Sequence, residues 1–207
     1  MMNDKSKLTA IILAGGKSTR MGSDKALIAV RGVPMLLLVY RIAEACAKKV
    51  CVVTPWKERY QHLLPPNTQF VEEVPLPGET GNEPKTHGPL IGFAQALAQV
   101  DTDWVLLLAC DLPNLRADIL QQWAAKLDSV PPQAIAALVQ KDNRWEPLCG
   151  FYRRCCLPEL NKYIEQQGRS FQEWLKLHPV HVLPLSDPQM LFNLNSYQDD
   201  WRSQLNN

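Results

Sequence analysis

The feature that most constrains the fold of this chain is the alternation of short apolar runs with segments of helical periodicity. Strands are predicted at residues 8–14, 50–54, 69–71, 104–109, 133–140, 147–152 and 181–185. Helices are predicted at residues 34–48, 88–100, 115–127, 155–166, 171–177 and 197–205. This order predicts an α/β fold with three layers, α/β/α, in which a mainly parallel, doubly wound (Rossmann-like) sheet is connected by right-handed crossovers.

The size of the chain favours a single domain over residues 1–207. A chain of 207 residues with 46% apolar content can bury one substantial core. No internal repeat, low-complexity tract or linker divides it. The longest irregular stretch, residues 72–87, contains several prolines and glycines, and a loop of this length in a compact domain is usually functional or mobile.

Charge and apolar run length restrict the partners and the compartment. The net charge of +1 argues against a nucleic-acid-binding surface, which needs an excess of basic residues. The apolar run at residues 8–14 is too short to cross a membrane, so no membrane association is expected. The six cysteines contain no CxxC pair and are interpreted as reduced thiols, mostly in the core. A cytoplasmic location is expected.

The first predicted strand leads into a stretch rich in glycine and basic residues, LAGGKSTRMGSDK at residues 13–25. Glycines such as Gly15 and Gly16 let backbone N–H groups approach anionic oxygens closely. Arg20 and Lys25 supply cations, and Ser18 adds a hydroxyl donor. The stretch matches neither the P-loop nor the GxGxxG pattern. It predicts a loop that binds a triphosphate beyond the carboxyl end of a strand.

A second polar position follows the strand predicted at residues 104–109. Asp111 is expected at the same edge of the sheet as the glycine-rich loop. A carboxylate there is a suitable ligand for Mg²⁺, which binds one or two carboxylates together with substrate phosphates. The alternative is that Asp111 caps the next helix.

Several motifs together resemble one family. The stretch LAGGKSTRMGSDKA followed by Gly32-Val33-Pro34 is similar to the signature of the molybdenum cofactor guanylyltransferase family, in the nucleotidyltransferase-like superfamily. Later segments agree in order, so the resemblance covers nearly the whole chain. These segments are GPLIG at residues 88–92, ACDLP at 109–113, PLCGFY at 147–152 and FNLNS at 192–196.

The resemblance implies an activity and a set of residues that perform it. GMP would be transferred from GTP to the phosphate of molybdopterin, with Mg²⁺ as cofactor and pyrophosphate as the second product. Lys25, Asp111 and Arg20 would be catalytic, and Asp111 would bind the metal. The GTP-binding positions would be Leu13, Ala14, Gly15, Gly16, Lys25, Thr54, Glu73 and Asp111.

The choice of base is expected to depend on two parts of the chain. In the resembling families LAGG accompanies guanine, so Gly16 and backbone carbonyls near residues 13–15 are expected at the base. Glu73 could accept from the N1–H and N2 donors of guanine, because a carboxylate only accepts hydrogen bonds. Whether Glu72 or Glu73 serves is open, as is a solvated role for both. Thr54 is expected near the base or ribose.

Three further residues are expected to bind the acceptor, molybdopterin. Asn193 and Asn195 alternate, so they point the same way in an extended chain. The resemblance places them beside the pterin, although they could instead form Asx turns before a final helix. Arg169 resembles a position that meets the phosphate of molybdopterin, and it could equally be a helix-start arginine beside the Ser170 cap.

Other activities remain open from the sequence. A relative of this family could use CTP, or could transfer a nucleotide to a sugar phosphate. A different class of protein would bind GTP without turnover and carry the cofactor. Transient contact with cofactor-donor and apo-molybdoenzyme proteins is also expected from the resemblance.

Overall fold

The structure is a computed structural model, and it describes residues 7–15, 24–76 and 86–193. The strands are β1 Leu8–Leu13, β2 Ala29–Val30, β3 Val33–Pro34, β4 Lys49–Val53, β5 Gln69–Val71, β6 Trp104–Ala109, β7 Ala136–Lys141, β8 Arg144–Arg153 and β9 Val180–Val182. The α-helices are α1 Met35–Cys46, α2 Lys57–Tyr60, α3 Pro89–Leu97, α4 Ala117–Ala124, α5 Leu157–Glu165 and α6 Phe171–Leu175.

Seven strands form one mixed sheet in the order β5-β4-β1-β6-β8-β7-β9. The pairs β5–β4, β4–β1, β1–β6 and β7–β9 are parallel, so the predicted mainly parallel α/β sheet is confirmed. Strand β8 is antiparallel to both of its neighbours. It begins directly after a two-residue turn in which Asp142 and Asn143 have φ of 49° and 58°. Two positive φ values are typical of the turn of a tight hairpin, which Asp and Asn tolerate.

Element boundaries differ from the predicted ones mainly at helix ends. The predicted helix at 115–127 is shortened to α4, and a separate 3₁₀ turn follows at Leu127–Ser129. The late strand predicted at 181–185 pairs only over Val180–Val182. Helix α2 and the small β2–β3 hairpin were not predicted, because segments this short carry no periodic signal. The helix predicted at 197–205 lies outside the described residues.

Helices cover both faces of the sheet, as the three-layer prediction required. Successive residues of β1 face opposite sides, so Ile12 packs in one core and Ile11 in the other. The first core lies under α1 and α4, and the second lies under α3, α5 and α6. The six cysteines all lie within the described residues, and each is a thiol outside any disulfide bond. Four are buried, Cys110 is half-buried and Cys155 is exposed.

The three central parallel strands end side by side. Leu13 at the end of β1 pairs with Val53 of β4 and with Ala109 of β6. The residues that follow these strands therefore converge at one edge of the sheet, where ligands collect in α/β proteins. In the described part of the chain, no helix is long and apolar enough to cross a membrane.

Candidate active site

A cavity of about 360 Å³ lies at the converging ends of β1, β4 and β6. Its floor comes from the strand ends, and its wall includes the start of α3, where Gly88 adopts a φ of 91° before Pro89. It is lined by Leu13, Ala14, Gly15, Asp24, Lys25, Ala26, Val53, Glu73, Thr86, Gly88, Pro89, Gly92, Ala109, Cys110, Asp111 and Leu148. Six residues expected at the nucleotide therefore meet in one place: Leu13, Ala14, Gly15, Lys25, Glu73 and Asp111.

Lys25 and Asp111 form an ion pair in this cavity although 86 positions separate them. The Lys25 Nζ donates to Asp111 Oδ2 over 3.3 Å, and the two side chains are 19% and 22% exposed. Both groups remain accessible to a ligand from the cavity. Asp111 does not cap the next helix, since the N-cap of α4 is Arg116. A cation beside a carboxylate suits the binding of a metal-bound triphosphate.

The segment that carries Lys25 is fixed by its neighbour Asp24. Asp24 Oδ1 accepts from the N–H of Ala26 and so caps the 3₁₀ turn Lys25–Leu27. Asp24 Oδ2 accepts from the Tyr60 hydroxyl over 2.6 Å, and Arg59 Nη1 lies 3.9 Å from the same oxygen. The sequence does not predict this contact, because no pattern in it links Asp24 with a residue of α2.

The two glutamates differ in position. Glu72 is exposed, whereas the side chain of Glu73 is 4% exposed and lines the cavity. Glu73 Oε2 accepts from the His87 N–H over 2.9 Å and lies 3.3 Å from His87 Nδ1. Burial raises the pKa of the Glu73 carboxyl, and these contacts with His87 offset part of that rise.

The other oxygen of Glu73 lies against the glycines of the cavity. A Cβ on Gly15 would come within 3.1 Å of Glu73 Oε1, and a Cβ on Gly92 within 3.5 Å of the same oxygen. The absence of side chains at these two positions therefore leaves room for the carboxylate. One oxygen is held by His87 and the other remains at the cavity, where it can accept from a ligand.

The expectation for Thr54 is corrected by the structure. Thr54 is fully buried and does not line the cavity. Its Oγ1 accepts from the N–H of Trp56 over 3.1 Å, a side-chain turn typical of threonine. Its backbone N–H continues the sheet by donating to Val71 O. Thr54 therefore shapes the end of β4 and is not available to a base or ribose.

Two more groups in the cavity, the Leu13 carbonyl and the Cys110 thiol, are restricted by their surroundings. The Leu13 carbonyl accepts from the N–H of Cys110, so it serves the sheet as well as any ligand. Burial, together with the charges of Asp111 and Asp24, raises the pKa of the Cys110 thiol. The thiol is therefore protonated at neutral pH and is not a nucleophile. Three predicted site residues, Gly16, Arg20 and Asn195, lie outside the described residues.

A second cavity of about 400 Å³ adjoins the first. Leu148 lines both cavities, and Leu112 of the second directly follows Asp111 of the first. The second cavity is lined by Leu112, Lys141, Asp142, Arg144, Trp145, Glu146, Pro147, Leu148, Cys149, Gln172, Leu191 and Asn193. Asn193 is thus placed where an acceptor could bind next to Asp111.

Arg169 is not brought to this site. Its guanidinium donates to the carbonyls of Ile164 and Gly168 and to the side chain of Gln167. These bonds satisfy the end of α5, which is a common use of arginine at a helix C-terminus. Ser170 caps α6 by accepting from the N–H of Glu173. The expected contact of Arg169 with an acceptor phosphate is therefore replaced by a structural role.

The parallel sheet and the lysine–carboxylate pair at its carboxyl edge are features of a nucleotidyltransferase. The chain belongs to the MobA-like NTP transferase domain family, whose profile matches residues 10–182. A relative from Nostoc sp., named "Probable molybdenum cofactor guanylyltransferase", is 59% identical over 93% of this chain and 88% of its own length.

A more distant relative agrees with this assignment, and one solved structure shares the fold. The "Molybdenum cofactor guanylyltransferase" of Syntrophotalea carbinolica is 31% identical over 95% of this chain and 91% of its own length. The molybdopterin-guanine dinucleotide biosynthesis protein A of Archaeoglobus fulgidus superposes with a TM-score of 0.73. At 20% identity, over 94% of this chain and 96% of that one, it shows the shared fold.

Proposed function

We propose that this protein transfers GMP from GTP to the terminal phosphate of molybdopterin and releases pyrophosphate. The observation that carries the proposal is the Lys25–Asp111 pair in the first cavity, which the second cavity adjoins. One cavity suits a guanine nucleotide, and the other leaves room for an acceptor. The names of relatives at 59% and 31% identity support the same reaction.

The first cavity suits guanine because of Glu73. The free oxygen of this carboxylate can accept from the N1–H and 2-amino donors at the edge of guanine. Cytosine presents a single amino donor beside two acceptor atoms, and a carboxylate would be repelled by those acceptors. Glu73 therefore favours GTP over CTP in this cavity.

Asp111 in the first cavity is also a suitable ligand for Mg²⁺, which we propose as the cofactor. In the described part of the chain, no group of three or more His, Cys, Asp or Glu could hold a metal ion. Mg²⁺ needs only one or two carboxylates when substrate phosphates complete its coordination, so Asp111 suffices. When bound, the ion neutralises charge on the phosphates.

The transfer itself requires no protein nucleophile. An oxygen of the molybdopterin phosphate attacks the α-phosphorus of GTP, and the bond from this phosphorus to the bridging oxygen of pyrophosphate breaks. Lys25 can stabilise the negative charge that develops on the departing phosphates. The chain contributes mainly by holding the two substrates in line across the cavity junction. The location would be the cytoplasm, with release to partner proteins of the cofactor pathway.

The test is pyrophosphate release by purified protein with Mg²⁺, molybdopterin and either GTP or CTP. We expect release with GTP alone, and loss of release in Asp111→Asn although GTP still binds. Release with CTP alone would overturn the assignment of the base. GTP binding without release would identify a carrier in place of an enzyme, and release with a sugar phosphate would identify a different acceptor.

A further inference from the structure

The second cavity contains a carboxylate that the proposed reaction has not yet used. Glu146 is half-buried, and no group among the described residues donates a hydrogen bond to it. Burial raises the pKa of the Glu146 carboxyl, and the positive charges of Lys141 and Arg144 offset part of that rise. The oxygens of this carboxylate can therefore accept hydrogen bonds from a ligand in the second cavity.

The backbone on both sides of Glu146 is held in place by side chains. The β7–β8 ladder shifts register between Leu138 and Gln140, so the start of β8 is not held by regular pairing alone. The Gln172 side chain accepts from the Trp145 N–H over 3.2 Å and donates to the Trp145 carbonyl over 2.7 Å. The Tyr152 hydroxyl donates to the Pro147 carbonyl over 2.8 Å. Glu146 is therefore presented on a fixed backbone.

The path of β8 places Glu146 beyond the reaction centre. Strands β8 and β6 are antiparallel, with Cys149 beside Leu108 near the end of β6. Residues that precede Cys149 in β8 therefore extend past the end of β6, where Asp111 follows. Leu148 lines both cavities and Glu146 lines only the second. An acceptor whose phosphate lies at Asp111 would thus extend its ring system toward Glu146.

We propose that Glu146 recognises the pterin of the acceptor by accepting hydrogen bonds from its 2-amino group and N3–H. These two donors lie side by side on the pyrimidinone edge and match the two oxygens of a carboxylate. A ring with oxygen at position 2 would instead place an acceptor against the carboxylate. This specificity role rests on the proposed function, because it assumes a pterin acceptor.

The test compares Glu146→Gln with Glu165→Gln. Glu165 is exposed at the end of α5 and lines neither cavity. Both changes replace a carboxylate by an amide, and only the first removes the proposed acceptor oxygen. For Glu146→Gln we expect the KM for molybdopterin to rise about 10- to 100-fold with an unchanged Kd for GTP, as for a lost charged hydrogen bond. For Glu165→Gln we expect little change.

A second readout uses 6-hydroxymethylpterin and 6-hydroxymethyllumazine as inhibitors of guanylyl transfer. Lumazine carries oxygen in place of the 2-amino group, so the wild type should prefer pterin and Glu146→Gln should lose that preference. An unchanged KM for molybdopterin in Glu146→Gln, or an equal effect of Glu165→Gln, would overturn the proposal while guanylyl transfer by the wild type stands. A wild type that transfers no GMP to molybdopterin would instead overturn the proposed function, and this inference with it.

Discussion

At the scale of single residues, the site depends on a few charged side chains with restricted access to water. The Lys25–Asp111 pair is about one-fifth exposed, whereas the Lys49–Asp101 pair at the other end of the sheet is more than half exposed. Electrostatic interactions are stronger where water is largely displaced. The same type of ion pair can therefore bind a ligand at one site and contribute little at the other.

Replacement of Lys25 by alanine should weaken GTP binding. The variant loses a cation at the phosphates and leaves Asp111 without its partner, so we expect a rise in Kd of about 10- to 100-fold. Titration calorimetry with GTP and Mg²⁺ measures the change. Lys49→Ala removes the same charge from the exposed pair and should bind GTP like the wild type. Equal affinities for Lys25→Ala and the wild type would contradict the phosphate role.

Replacement of Glu73 by glutamine should reduce the selectivity for guanine. The variant replaces one carboxylate oxygen with an amide donor, so the Kd for GTP should rise about 10- to 100-fold. The preference for GTP over ITP, which lacks the 2-amino group, should shrink. Competition binding with the two nucleotides measures both effects. Glu72→Gln makes the same change at an exposed neighbour and should alter neither value.

Acidification should weaken the same selectivity in the wild type. The pKa of Glu73 is raised above its ordinary value of 4.5 by burial, so this carboxyl gains a proton at a higher pH than an exposed glutamate would. The protonated form loses acceptor capacity. The ratio of GTP to ITP affinity should therefore fall as the pH decreases, beginning above pH 4.5, and should stay flat in Glu73→Gln. A pH-independent ratio in the wild type would show that Glu73 does not contact the base.

At the scale of elements, a short helix fixes the segment that carries Lys25. Helix α2 has only four residues, Lys57–Tyr60, yet its last residue anchors Asp24 through a hydrogen bond of 2.6 Å. Burial and the hydrogen bond to Asp24 both raise the pKa of the Tyr60 hydroxyl. The hydroxyl therefore remains protonated and a donor at neutral pH. The conformation of the Lys25 turn is thus determined by an element that is distant in sequence.

Tyr60→Phe should reduce nucleotide binding although Tyr60 does not line the cavity. The ring stays buried while Asp24 loses a donor, so we expect the Kd for GTP to rise about three- to tenfold, as for one neutral hydrogen bond. Tyr40→Phe removes a hydroxyl bonded to Thr68 and provides a matched control for stability. The two variants should lose similar stability in urea unfolding. If both also bind GTP like the wild type, Tyr60 does not position Lys25.

At the scale of the whole molecule, one sheet separates two hydrophobic cores. The first includes Leu120 of α4 and the second includes Leu97 of α3, and both side chains are fully buried. Every central strand contributes side chains to both cores. If one core unfolds, the other therefore loses the strands against which it packs. This sharing is the structural basis for expecting the two cores to unfold as one cooperative unit.

Leu120→Ala and Leu97→Ala should therefore destabilise the protein as a whole. Each change leaves a cavity in a packed core and should lower the free energy of unfolding by about 2–5 kcal/mol. Urea unfolding followed by circular dichroism and by tryptophan fluorescence should give one coincident transition in each variant. Two separated transitions in either variant would show that the two faces of the sheet unfold independently.

Features that depend only on neighbouring residues could be predicted from the sequence. Apolar runs located β6 to the residue and β1 to within one, because a buried strand needs a continuous apolar segment. Glycines and charges directly after strands located Lys25 and Asp111 at one edge. The Asp142–Asn143 turn was also visible in the sequence, and it could have indicated that β8 returns antiparallel to β7.

Which distant groups meet depends on the packing of the elements. That packing pairs Asp24 with Tyr60 and Glu73 with His87, and it places Glu146 in the cavity next to that of Lys25 and Asp111. It also places Thr54 and Arg169 outside the site, because the side chain of each is hydrogen-bonded to a nearby backbone group. Such contacts follow from the packing of elements against one another, and local periodicity carries no information about that packing.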